Sequence, residues 1–261
     1  MLFIHDFGVI LHIAAGALAL LVFWIPVLTK KGGRSHRRTG QVFTSTMYAV
    51  SISGILISGL DLLFPLTIHA ADIQLTEAEA QAARREVRIF AHFLLSLSIL
   101  VLTATRQGWL AVLHKQDRSA MRQPTQLTLC ASLVMVGATL LISGVMNQRI
   151  LMLVFGGLEV VSGTASLRYI YKEHLAPNDW LTEHFGGLIG SGIGAYTAFA
   201  VFGGRTLFET LFADSLANVT IVLWLAPGII GGFAIRHLTR RYRKSAGATA
   251  GRTAASALTE S

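Results

Sequence analysis

The sequence predicts an all-α, polytopic integral membrane bundle of about seven transmembrane helices. Hydrophobic residues make up 52% of the 261-residue chain, charged residues 14%, and mean hydropathy is +0.57. A soluble domain of this size would lack the polar surface needed to cover itself. Seven apolar segments also approach the ~20 residues required to cross a hydrocarbon core, and the basic residues gather in alternate connections between them.

In chain order, the spans are expected at about 7–29, 42–66, 88–106, 125–147, 150–169, 184–203 and 216–236. The first apolar run continues past Trp24 and Pro26 to Thr29, too long for a removable signal peptide, so it is expected to stay as a helix. Before the third span, "TEAEAQAARREVR" begins with Thr76 and has Glu79 three residues later. That capping box predicts a helix that starts in water and runs straight into the membrane. After the third span, "GWLAVLHKQDRSAMR" mixes Trp109, Leu110, Val112 and Leu113 with basic residues, the composition of an interfacial helix. Asp61, at the end of the second span, reads as an interface residue. The reading gives a single transmembrane domain over 1–244 and a small, polar, disordered cytoplasmic tail over 245–261.

Orientation follows from Lys and Arg. One side carries Lys30, Lys31, Arg34, Arg37 and Arg38, then Arg106, Lys115, Arg118 and Arg122, then Arg168 and Lys172, and finally the C-terminal run from Arg236; this is 17 of 22 basic residues. Arg84, Arg85, Arg88, Arg149 and Arg205 fall on the other. The positive-inside rule then places the N-terminus outside and the C-terminus in the cytoplasm of an inner membrane. The net charge of +8 is spread over these connections rather than one soluble face, which points to anionic lipid headgroups on the cytoplasmic side and not to nucleic acid. Cys130 is the only cysteine, which excludes an intrachain disulfide and any CxxC motif. The chain has no HExxH, His-box, GxSxG or P-loop, and "GSGIGA" lies inside a span with no strand before it.

Two passages carry a resemblance. Residues 12–54, "HIAAGALALLVFWIPVLTKKGGRSHRRTGQVFTSTMYAVSISG", have a histidine opening an Ala/Gly/Leu helix, a basic turn with a His-Arg pair and a nearby glycine, then a second helix. Residues 184–199, "HFGGLIGSGIGAYTAF", have a histidine opening a small-residue span. Together they resemble an uncharacterised bacterial family of predicted membrane proteins (domain of unknown function 2306). The resemblance implies a fold and a membrane, and no activity.

Function must therefore come from polar groups at membrane depth, which are costly there and face the bundle interior or a cavity. Counting from the outer ends of the first and third spans, at about 7 and 88, puts His12 and His92 in one layer near the outer boundary. Two imidazoles there could bracket a haem b iron, hold a metal ion, or flank a quinone or proton path; alternatively each caps a polar network. His36, His184 and His237 form a second, inner layer, with His36 and His184 as further cofactor candidates or headgroup contacts. His5, His69, His114 and His174 lie in loops or at ends and are given no role.

Glu159 falls near the middle of the fifth span, where an ionised carboxylate is strongly disfavoured, so it is expected to be protonated or paired. Ser162 and Ser166 follow at helical spacing and would extend a polar stripe toward the cytoplasm. That stripe reads either as the proton or substrate path of a proton-coupled transporter or as structural glue between helices. In the sixth span Gly186, Gly190, Gly194 and Ala198 recur every four residues, with Gly187, Ser191 and Ala195 as a second row. Such rows suit close helix packing, including a homo-oligomer or membrane partner, or a flat ligand. Three functions stay open: a haem, metal or quinone protein, a proton-coupled permease, and a non-catalytic assembly factor.

Overall fold

A computed structural model describes residues 2–203 and 221–241. The helices are α1 Leu2–Leu28, α2 Arg34–Leu63, α3 Pro65–His69, α4 Glu77–His114, α5 Pro124–Met146, α6 Ile150–Tyr171, α7 Asp179–Ala198 and α8 Ile221–Arg241. A 3₁₀ turn spans Ser119–Arg122, a π turn follows α7 over Phe199–Gly203, and no strand occurs among the described residues. All but the five-residue α3 are long and apolar enough to cross a membrane, so the expected seven spans are present. The proposed tail at 245–261 and the start of the last span lie outside the described residues.

α4 is the axis of the bundle. α1 and α2 form one antiparallel hairpin, α5 and α6 another, and α4 packs against α2, α5, α6 and α7. α7 also reaches α1, where Trp24 Nε1 donates to Tyr196 Oη at 2.6 Å and that hydroxyl donates to the Leu20 carbonyl at 3.0 Å. Short connections make successive spans antiparallel, so the bundle has a basic-rich end and a basic-poor end.

The cap at Thr76 forms as its sequence requires. Thr76 Oγ1 accepts from Glu79 N at 3.4 Å, and Glu79 Oε2 accepts from Thr76 N at 2.8 Å. Two donors that a helix start would otherwise leave open are thereby satisfied, and α4 runs 38 residues without a break. Loss of the cap costs about 1 kcal/mol. Thr76→Ala is therefore expected to speed hydrogen exchange at the first amides of α4 about fivefold; unchanged exchange there would show that the cap does not hold this end.

The interfacial helix expected around Trp109–Leu113 does not form. α4 continues to His114, and Leu110 and Ala111 enter a core cluster with Met121, Cys130, Tyr169 and Ile170. Those apolar side chains face neighbouring helices rather than lipid headgroups. The chain turns only at Lys115, which has φ 50°.

Glycines set the tightest packing. On the α5–α6 seam a Cβ at Gly137 would lie 2.9 Å from the Gly156 carbonyl oxygen, and one at Gly156 would lie 2.8 Å from that of Gly137. Gly144 and Gly163 repeat the approach seven residues further along each helix. Such contacts replace the hydrophobic drive that is missing between helices in lipid.

Candidate functional site

Glu159 sits on α6 at its contact with α5 and α4. It is 0% exposed, its Cβ fits against Gly137, and neither carboxylate oxygen has a hydrogen-bond partner. Ser96 of α4 faces the carboxyl, but its hydroxyl donates to the Phe93 carbonyl at 2.8 Å. Leaving a buried polar group unpartnered costs roughly 1–3 kcal/mol, and native folds retain few such groups. Toward the basic-poor end the site is closed by Phe93, Leu140, Met152 and Trp224, with Phe155 packed beside them. Phe93, Phe155 and Trp224 stack with ring centroids 5.0–5.8 Å apart.

Toward the basic-rich end the surroundings turn polar, along α4 rather than α6. Ser96, Thr103 and Gln107 lie on one face of α4, seven and then four residues apart, and all three are buried. Gln107 Nε2 donates to Glu183 Oε2 at 3.1 Å, and Gln107 Oε1 accepts from Gln126 Nε2 at 2.9 Å. Gln126 Nε2 also lies 3.5 Å from Cys130 Sγ. Ser162 and Ser166 are half-buried, and no side-chain hydrogen bond joins them to Glu159 among the described residues. The stripe read along α6 is thus replaced by a row contributed by α4, α5 and α7.

Beside the end of that row, His36 and His184 come together with ring centroids 6.4 Å apart and planes at 75°. His36 Nδ1 donates to the Pro26 carbonyl at 2.9 Å, and His184 Nδ1 to the Gly108 carbonyl at 3.0 Å. Since a carbonyl accepts only from N–H, each ring carries its proton on Nδ1 when neutral and leaves Nε2 as the free acceptor. The Pro26 carbonyl is available because it lies in the last turn of α1, where the helix supplies no amide for it. Lys31 Nζ shares it at 2.9 Å, and burial holds the Lys31 ammonium below the ordinary lysine range. Among the described residues no group of three or more His, Cys, Asp or Glu side chains is placed to hold a metal ion. The pair offers two donors only.

His12 and His92 are not brought together. His12 Nδ1 bonds to the Val50 carbonyl at 2.9 Å and Ser53 Oγ at 3.1 Å, on the α1–α2 seam. His92 Nε2 meets Thr139 Oγ1 at 3.1 Å, between α4 and α5. Across Gly54, His12 is level with Ser98, six residues and so about 9 Å along α4 from His92. Depth counted from the expected span starts misses this offset because it carries no information on how α1 and α4 are staggered against each other. His237 is exposed near the end of α8 and joins neither layer.

A cluster with no part in the sequence reading appears instead at the basic-poor end. Asp61 is buried, and its Oδ1 lies 2.9 Å from His69 Nε2 and 3.3 Å from His5 Nε2. These imidazoles tie the start of α1 and the end of α3 to α2. Glu183, Gln107 and Gln126 likewise have no part in the sequence reading; the signal for the two glutamines is an uncharged amide within an apolar run, Gln107 four residues after Thr103.

The glycine rows of α7 divide by face. A Cβ at Gly187 would lie 2.5 Å from the Ala104 carbonyl oxygen and 2.8 Å from Gly108 N, a backbone-to-backbone approach of α7 to α4. Ser191 is buried on the same row, and Ala195 packs against the cluster of Ala19, Phe43 and Met47. Gly186 and Gly190 meet nothing within 4 Å, while Gly194 meets only Val101. The second row carries the packing against α4, and the row headed by Gly186 is the more open one.

Fold and site together define a polytopic helical membrane protein with one carboxylic acid, Glu159, buried beside its central helix. The chain matches no protein-family model, no curated protein sequence and no solved structure.

Proposed function

We propose that the protein is a multi-pass inner-membrane protein, with its N-terminus outside and its basic-rich end in the cytoplasm, that moves protons through Glu159 in step with a transported solute. The observation that carries this reading is the Glu159 carboxyl, fully buried without a hydrogen bond and set between an aromatic closure on one side and a polar row on the other. Ionisable groups within spans are rare and costly, and they mark ion and proton pathways. In this reading a proton passes between Glu183 and Glu159 on water admitted along the polar face of α4 at Gln107, Thr103 and Ser96, and rearrangement of the Phe93, Phe155 and Trp224 rings opens the other side. The resemblance to the uncharacterised membrane family is silent on transport.

The test is proton movement into vesicles reconstituted with the purified protein under an imposed pH gradient. Glu159→Gln should abolish it and Glu159→Asp should retain a part. Equal movement in wild type and Glu159→Gln would remove the basis of the proposal.

A second reading has its own observation. Metal-binding histidines usually donate their other ring N–H to a carbonyl or carboxylate, and both His36 and His184 do so. Their ring centroids lie 6.4 Å apart with the planes at 75°, a separation that one shared ion can span with ~2.1 Å metal–nitrogen bonds. Two donors suit a haem iron or a two-coordinate soft ion better than a four-coordinate structural zinc. The purified protein should then carry about one equivalent of transition metal or haem, lost in both His36→Ala and His184→Ala and kept in His92→Ala. Retention in the first two variants would exclude this pair.

A further inference from the structure

The basic-poor end should, by the positive-inside pattern, need few arginines, yet three of its five basic residues stand within five positions of one helix. Arg84, Arg85 and Arg88 of α4 line one open cleft of about 420 Å³, faced by Met146 and Asn147 at the end of α5. No carboxylate lines it. The nearest acidic side chain in sequence, Glu86, is held by Arg149 at 2.8 Å.

The three guanidiniums differ in how they are held. Arg85 Nη2 donates to Asn147 Oδ1 at 2.9 Å, which fixes it against α5. Arg88 Nε donates at 3.1 Å to the Leu62 carbonyl in the last turn of α2. Each keeps further N–H groups, since a guanidinium has five. Arg84 makes no hydrogen bond or ion pair among the described residues, so an exposed, uncompensated cation stands beside two fixed ones.

Just below, the surface changes character. Met146 is 75% exposed and Ile142, one turn further into the span on the same face of α5, 60%. Ile89 and Met146 reach into the cleft itself. The cleft therefore straddles the line between headgroups and hydrocarbon, with cations above and apolar side chains beneath. A soluble anion would use only the upper half. A ligand with a phosphate and an acyl chain would use both.

We propose that this cleft is a binding site for an anionic phospholipid of the outer leaflet, its phosphate held by Arg84, Arg85 and Arg88 and its chain laid along Ile89, Met146 and Ile142. The test is binding of the intact purified protein, in neutral detergent, to phosphatidylglycerol, with phosphatidylcholine and inorganic phosphate as separate arms. Each guanidinium at a membrane surface contributes about a fivefold change in affinity. Arg84→Gln is expected to weaken phosphatidylglycerol binding about fivefold, and the Arg84→Gln/Arg85→Gln pair roughly twenty-five-fold. Asp72→Asn changes the charge at the same end by the same amount but outside the cleft, and should leave binding unchanged. A gain in Asp72→Asn as large as the loss in Arg84→Gln would mean diffuse surface charge, and the proposal fails. Competition by inorganic phosphate as effective as by the lipid would mean a soluble-anion site, which also overturns it. Thermal unfolding of each variant without lipid should match wild type, so that a loss of binding is not a loss of fold.

Discussion

Gly187→Ala is expected to destabilise the bundle by about 1–3 kcal/mol, while Gly186→Ala, one residue away, is expected to be neutral or stabilising by up to ~1 kcal/mol. The added methyl at 187 lands 2.5 Å from the Ala104 carbonyl oxygen and 2.8 Å from Gly108 N. Both are main-chain atoms of α4, which cannot move aside without shifting the helix. At 186 the same methyl meets nothing within 4 Å, and alanine is the better helix former. The destabilisation should reach the His36–His184 pair, because the same stretch of α7 donates from His184 to Gly108. Thermal unfolding in detergent separates the two variants; equal midpoints would show that α7 does not approach α4 by this face.

Glu159→Met is expected to raise stability and abolish proton movement together. The carboxyl is buried without partners, and replacing buried charged or polar groups by apolar ones of similar volume is often neutral or stabilising by about 1–4 kcal/mol. Methionine keeps the Cβ that fits against Gly137 and adapts to the remaining space. A residue acting as glue between helices gives the opposite sign, because its loss removes a hydrogen bond. A fall in the unfolding midpoint of Glu159→Met would therefore favour the structural role and count against transport.

The spans were legible because hydropathy over ~20 residues is a local property. The α4 start was legible for the same reason, since Thr76 and Glu79 lie within one turn. Glu159 stood out as a carboxylate in mid-span. Which helices touch was not legible. α4 as the common partner of α2, α5, α6 and α7 depends on pairings far apart in sequence, and without it Ser96, Thr103 and Gln107 read as ordinary residues of an apolar helix. The His5–Asp61–His69 cluster needed the register of α1 on α2 and the return of α3. One signal was overlooked: Gly137 and Gly144, and Gly156 and Gly163, repeat every seven residues in consecutive spans and mark the α5–α6 seam.

The central position of α4 also fixes an order of assembly. The α1–α2 hairpin can close as soon as both helices are made, whereas the face of α4 bearing Ser96, Thr103 and Gln107 is covered only after α5, α6 and α7 arrive. The Ser96 and Thr103 hydroxyls stay bonded to carbonyls of α4 itself, but a chain halted after residue 123 would present the Gln107 amide to lipid without Gln126 and Glu183, where unsatisfied polar groups cost several kcal/mol. Synthesis of the second half is thus what makes the first half acceptable to the bilayer, and truncated chains should be substrates for membrane quality control.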